Sequence, residues 1–235
     1  MLSPYTPLDP HTKKVLICGD SFVITDSKYP GLHFSEKIAN SYPHIDWHIL
    51  NLSSHGDSNL FIVQQLLQGL VYKPDFVIFS FTAPTRTETV LDKKMIPRSL
   101  NLHDIHNWNK GRYNLHIRTI PFFKDTDQND QLIMADDERT YLQQYILITF
   151  CLELCKNMNI PYCYSLGGMK SINTKVFDSI YATNPLTTHK NKEIPLNLWD
   201  HSNGTNDPDF HVVNEDIQEK FANMCLNHIL ESFNC

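Results

Sequence analysis

A chain of 235 residues, 41% hydrophobic and 20% charged, can bury a sizeable core as one large domain or two small ones. Its net charge of −6 works against broad electrostatic capture of nucleic acid or anionic membrane. No apolar stretch reaches the roughly 18 residues that a membrane span needs, and Met1-Leu2-Ser3-Pro4 lacks the charged start and apolar run of a secretory signal.

Val15-Leu16-Ile17-Cys18 is apolar throughout and breaks at Gly19-Asp20-Ser21, which predicts a buried strand ending in a turn. Ile45–Leu52 reads as a second strand, closed by Ser53-Ser54-His55-Gly56-Asp57. From Ser58 to Tyr72, Leu60, Phe61, Val63, Leu66, Leu67, Leu70 and Val71 recur at helical spacing until Lys73-Pro74-Asp75 stops them. Phe76–Phe81 is a third, near-continuous apolar strand. Strand, helix, strand with both sheet faces apolar predicts a parallel sheet covered by helices.

Val90 to Asp137 is the least regular stretch and is too long for a plain connection. We read it as an insertion or lid of about residues 90–137 within a single domain. Tyr141, Tyr145, Ile148, Leu152 and Cys155 then mark a helix face over Glu138–Asn157. Ile160–Ser165 is the fourth strand, turned by Gly167-Gly168, and Asn214–Phe233 is a final amphipathic helix capped by Asn214.

Ligands of open parallel sheets sit beyond the carboxyl ends of the strands. Asp20-Ser21, Ser54-His55-Gly56, Thr82-Ala83-Pro84 and Gly167-Gly168 all fall there, and the turn Asp209-Phe210-His211 before the last helix can reach the same edge. A serine, an imidazole and a carboxylate make a nucleophile, a base and an orienter when a fold unites them. The plain alternative is that Ser21 only caps a helix.

Gly19-Asp20-Ser21 at a strand end, with a late Asp/His turn before the last helix, resembles the SGNH (GDSL) hydrolases. The resemblance spans roughly Val15–Gly168 and Asn206–Phe233. It implies a three-layer α/β/α sandwich with a mostly parallel, flavodoxin-like sheet, and a serine hydrolase cleaving carboxylic esters through an acyl-enzyme. In that family the first-block serine attacks the acyl carbon, which falls to Ser21. The second-block glycine joins the Ser21 amide in the oxyanion hole, which falls to Gly56, and the late histidine takes the serine proton, which falls to His211.

Two departures stand out. The third block of the family, Gly-x-Asn-Asp after strand three, is replaced by Phe81-Thr82-Ala83-Pro84-Thr85-Arg86-Thr87-Glu88. Thr82, or Asn59 from the second block, can stand in for the missing asparagine as oxyanion donor, and Arg86 can meet a substrate carboxylate or developing negative charge. This Thr/Arg/Glu pattern is similar to a divergent, bacteriophage-type branch of viral members. The second departure is the acid: Pro208 stands where the usual Asp-x-x-His spacing puts it. Asp209, as in SGNH-like polysaccharide O-acetyltransferases, is the expected partner of His211, with Asp207 the rival. Asp20 is assigned a structural part, holding neighbouring loops.

The expected substrate is a small-molecule or glycan acyl ester, with no nucleic acid or membrane as partner. The alternatives are an inactive SGNH-like binding or structural module, and an O-acyltransferase using the same residues. His103, His106 and His116 lack any HExxH or cysteine-pair context, so neither metal nor cofactor is expected. None of the six cysteines forms a CxxC, which fits reduced thiols and a cytoplasmic location.

Overall fold

The structure is a computed structural model that describes residues 12–24, 28–54, 57–82, 88–90, 117–119, 137–166, 185–202 and 213–233. Its centre is a four-stranded parallel sheet of β1 (Lys13–Gly19), β2 (Trp47–Asn51), β3 (Phe76–Ser80) and β6 (Tyr162–Ser165), in the order β2-β1-β3-β6. Glu193 bridges in parallel to Tyr164 and carries the sheet one step further. A separate antiparallel pair joins β4 (Glu88–Val90) to β5 (Ile117–Thr119). Both short strands lie in or at the border of the stretch read as an insertion, where the sequence shows no strand signal. The remainder of that stretch lies outside the described residues.

Side chains alternate across a strand, and here both sets are apolar. Leu16, Cys18, Val77, Phe79, Tyr162 and Tyr164 pack on one face beneath α2 (Asn59–Gly69) and α3 (Asp137–Asn157). Val15, Ile17, Phe76, Ile78 and Cys163 pack on the other with Phe34 and Ile38 of α1 (Phe34–Ser41) and Phe221, Cys225 and Ile229 of α4 (Glu215–Phe233). A three-layer α/β/α sandwich with a parallel centre follows, as the apolar runs predict.

The helix starts are built by side chains that accept orphan amides. Ser58 accepts from Leu60 N–H at 3.1 Å and Asn214 from Asp216 N–H at 2.8 Å. At α1 the cap is His33, which accepts from Ser35 N–H at 3.2 Å while Glu36 accepts from His33 N–H at 3.2 Å, a capping box with an unusual first member. Gln218 of α4 accepts the amide of Phe34 at 3.0 Å, tying the two helices of that layer together. Gly69 closes α2 where the helix meets the sheet: a Cβ there would lie 2.3 Å from Leu16 Cδ2. No helix among the described residues is long and apolar enough to cross a membrane. Cys18, Cys151, Cys155, Cys163 and Cys225 are buried free thiols.

Candidate active site

β1 delivers its last residues to the carboxyl edge of the sheet, where Gly19 pairs with Ser80 at the end of β3. Gly19 sits under close approach, since a Cβ would lie 2.3 Å from Val23 Cγ2 and 3.1 Å from Ser80 O. Gln65 of α2 clamps this glycine on both sides. Gly19 N–H donates to Gln65 Oε1 at 2.7 Å, and Gln65 Nε2 donates to Gly19 O at 2.9 Å and Asp57 Oδ2 at 2.6 Å.

A single 3₁₀ turn, Ser21–Val23, follows, capped by Asp20. Asp20 Oδ1 accepts from Phe22 N–H at 3.1 Å, Asp20 O accepts from Val23 N–H at 3.2 Å, and Thr82 Oγ1 donates to Asp20 Oδ2 at 2.7 Å. The far end of the turn is held through the Val23 carbonyl, which accepts from Asn51 Nδ2 at 2.6 Å and His33 Nε2 at 3.0 Å. Because His33 Nδ1 accepts from Ser35 N–H, the ring is the neutral tautomer protonated at Nε2. Burial pushes its pKa down to about 4, against a smaller upward pull from the Val23 carbonyl.

Inside this held turn Ser21 is 4% exposed, and its Oγ has no hydrogen-bond partner among the described residues. A buried hydroxyl left unpaired costs about 1–3 kcal/mol, so its presence calls for a reason. The other two such atoms among the described residues, Thr149 Oγ1 and His228 Nδ1, belong to α3 and α4.

Thr82 and Asn59, both candidates for the oxyanion hole, are buried beside the turn, but their hydrogens point elsewhere. The Thr82 hydroxyl donates to Asp20, and Asn59 Nδ2 donates to Gln144 Oε1 at 2.8 Å and Thr82 O at 3.3 Å. Asn59 Oδ1 in turn accepts Thr82 N–H at 2.9 Å. Gly56, Arg86, Asp207, Asp209 and His211 lie outside the described residues, as do His55 and Gly167-Gly168. The two ends of the segment carrying Asp207, Asp209 and His211 are described: Ser202 and Val213 form an antiparallel bridge. Val213 is fully buried in the same core cluster as Phe22 and Val23.

Sequence reasoning missed Gln65, Gln144 and His33. The one signal for Gln65 was a polar residue within the apolar run Phe61–Leu67. Gln144 stands beside Tyr145 in the same way, at a position the helical spacing points inward. Nothing local marks His33 as a cap, because histidine is not a favoured one. Among the described residues no group of His, Cys, Asp and Glu gathers to hold a metal ion.

No protein-family model and no curated protein sequence matches the chain. Solved structures do. TesA superposes with a TM-score of 0.53 at 11% identity, covering 94% of this chain and 99% of that one. The psychrotrophic esterase EstA from Pseudoalteromonas sp. gives 0.52 at 12% identity, with 95% and 100% covered. A catalytic mutant of the acetylxylan esterase Axe2 from Geobacillus stearothermophilus gives 0.50 at 10% identity, with 92% and 94% covered. At such identities the likeness is one of fold, and it runs nearly end to end in both partners. The parallel sheet between two helical layers, with Gly19-Asp20-Ser21 at the end of its first strand, is a fold that the chain shares with TesA, EstA and Axe2, and it is the architecture that the resemblance to the SGNH (GDSL) hydrolases implies.

Proposed function

We propose that the chain is a serine hydrolase of carboxylic esters, an esterase or deacetylase acting through an acyl-enzyme. The observation that carries this reading is the Ser21 hydroxyl, buried and without a partner among the described residues, in a turn that Gln65, Asp20, Thr82, Asn51 and His33 otherwise fix. A nucleophile must be held still and yet keep its oxygen available to a base and an acyl carbon. Ser21 is held in this way, and its Oγ has no other partner among the described residues.

His211 is the base in this account, with Asp209, or else Asp207, orienting its ring. The Ser202–Val213 bridge supports the assignment, because it anchors the segment carrying all three to the core that holds Phe22 and Val23. Ser21 Oγ bonds to the acyl carbon as its proton passes to His211, and the carbonyl oxygen becomes an oxyanion. The alcohol then leaves with the proton from His211. Water next attacks the acyl-enzyme with His211 as base, releasing the acid and returning the proton to Ser21. With Thr82 and Asn59 committed elsewhere, the oxyanion falls to the backbone amides of Ser21 and Gly56, each such donor being worth about 3–4 kcal/mol. Arg86 is the proposed contact for a substrate carboxylate.

The esterase and acetylxylan esterase among the similar folds support an ester substrate, a small-molecule or carbohydrate-linked acyl group. A hydroxyl acceptor in place of water would make the same residues an O-acyltransferase. The buried free thiols support a cytoplasmic location. One observation favours a second reading, an inactive binding module: neither side-chain donor beside the turn has a hydrogen left for an oxyanion.

Turnover of p-nitrophenyl acetate decides between them. The hydrolase reading expects turnover by the wild type and none above background in Ser21→Ala. Equal rates in the two proteins, or no turnover by a folded wild type on this and longer acyl esters, would favour the binding module.

A further inference from the structure

We propose that Gln144, Asn59 and Thr82 are positioning residues that hold the Ser21 turn from α3; this rests on the reading of Ser21 as the nucleophile. Four buried polar residues from four separate segments form one chain of hydrogen bonds, which passes through the main chain of Thr82. Gln144 Oε1 accepts from Asn59 Nδ2 at 2.8 Å. Asn59 then grips the Thr82 peptide on both sides, accepting its N–H at 2.9 Å and donating to its carbonyl at 3.3 Å. Thr82 Oγ1 donates to Asp20 Oδ2 at 2.7 Å, and Asp20 Oδ1 accepts the amide of Phe22, next to Ser21. None of Asp20, Asn59, Thr82 and Gln144 is more than 3% exposed.

The links lock one another. Only a carboxamide oxygen can accept Thr82 N–H and only its NH₂ can donate to the Thr82 carbonyl, so the Thr82 main chain sets the orientation of Asn59, and Gln144 Oε1 accepts the remaining Asn59 hydrogen and holds that carboxamide in place. With its peptide pinned, Thr82 holds its hydroxyl on Asp20, and a carboxylate held at both oxygens fixes the turn it caps. The third block, which here lacks both glycine and asparagine, is thereby tied to the first by a threonine. Its part shifts from contacting the oxyanion to aiming the nucleophile. Near-attack geometry is sensitive to displacements on the order of 1 Å, which cost about 100-fold in rate.

The test compares wild type, Thr82→Val, Thr82→Ser, Gln144→Leu and Ser21→Ala for fluorophosphonate labelling rate, for kcat and KM on p-nitrophenyl acetate, and for melting temperature. In Thr82→Val the labelling rate and kcat are expected to fall about 10- to 100-fold with KM changed less than about twofold, by misaimed attack rather than lost binding. Thr82→Ser, which keeps the hydroxyl, restores both to within about threefold of wild type. Gln144→Leu lowers both about fivefold or more while Thr82 is intact. Should Thr82→Val not fold, the Gln144→Leu and Thr82→Ser arms decide alone. Labelling within twofold of wild type in a folded Thr82→Val or Gln144→Leu overturns the positioning role, as does an equal loss in Thr82→Val and Thr82→Ser. A folded wild type that neither labels nor turns over overturns the nucleophile reading and this inference with it. Labelling lost only in Ser21→Ala keeps the nucleophile and removes the relay.

Discussion

The two ends of the central sheet are both polar, yet they treat their polar groups differently. At the amino edge several hydrogen bonds close joints between neighbouring strands. Thr12 Oγ1 donates to Asp46 Oδ2, Lys13 N–H to Asp46 O at 2.8 Å, and Lys14 N–H to Asp75 Oδ2 at 2.8 Å, with Asp75 N–H returning to Lys14 O. At the carboxyl edge the same economy ties Gly19 to Gln65, Asp20 to Thr82 and Ser165 Oγ to Leu196 O, but one hydroxyl, Ser21, is left without a partner among the described residues. Satisfied polar groups hold structure. A withheld one costs stability and is kept where chemistry needs it. The amino edge is thus architecture, and the carboxyl edge is architecture arranged around the hydroxyl we propose as the nucleophile.

The sharpest break of this contrast is Ser21→Ala. Activity on p-nitrophenyl acetate should fall about 1,000-fold or more, while the melting temperature holds or rises, because an unpaired buried hydroxyl is removed. Next in size is Gln65→Leu, which strips partners from both sides of Gly19. It should lower unfolding free energy by about 3 kcal/mol in urea titration and reduce turnover as well, since the clamp sits on the residue before Asp20.

His33 gives a pH test of the same edge. Its folded pKa of about 4 lies below the ordinary value of 6.5, because burial disfavours the charged ring. The unfolded chain therefore takes up the proton first as pH falls. Stability from this source is complete above about pH 6.5, is lost progressively as pH falls toward 4, and levels below that, by roughly 3 kcal/mol in all. His33→Asn, which keeps a good cap, should flatten this part of the stability profile measured by urea unfolding. An unchanged slope would mean that other groups set it. The smallest effect belongs to the amino edge. Asp75→Ala should cost about 1 kcal/mol of stability and leave turnover within about twofold of wild type, whereas a large loss of activity would erase the distinction between the two ends.

How much of this was legible in the sequence follows from how far each feature reaches along the chain. β1 and β3 were visible because both faces are buried: Val15–Cys18 is apolar without interruption, and Phe76–Phe81 is broken only by Ser80. The helices from Ser58, Glu138 and Asn214 were visible through their spacing. α1 escaped notice because Phe-Ser-Glu-Lys-Ile-Ala-Asn-Ser is short and half polar, and its start depends on a histidine cap and on Gln218 from a distant helix. The β4–β5 pair lies in polar sequence with no alternation to betray it.

In the site, Gly19-Asp20-Ser21 was legible because a strand ending in a turn is a local event. The commitments of Thr82 to Asp20 and of Asn59 to Gln144 were not, being set by residues 62 and 85 positions apart. Reading Thr82 and Asn59 as oxyanion donors followed from their residue types alone. Their hydrogens are directed by Asp20 and by Gln144 of α3, which no local pattern encodes.

The most direct test of the central claim is the site of covalent capture. The folded protein is treated with a fluorophosphonate, digested, and mapped by mass spectrometry. A single adduct on Ser21, forming faster as pH rises through the titration of the base and slowed by His211→Gln, is the predicted result. A stable, folded protein that takes no adduct at any pH, or takes it on another residue, would contradict the assignment of Ser21 as an activated nucleophile.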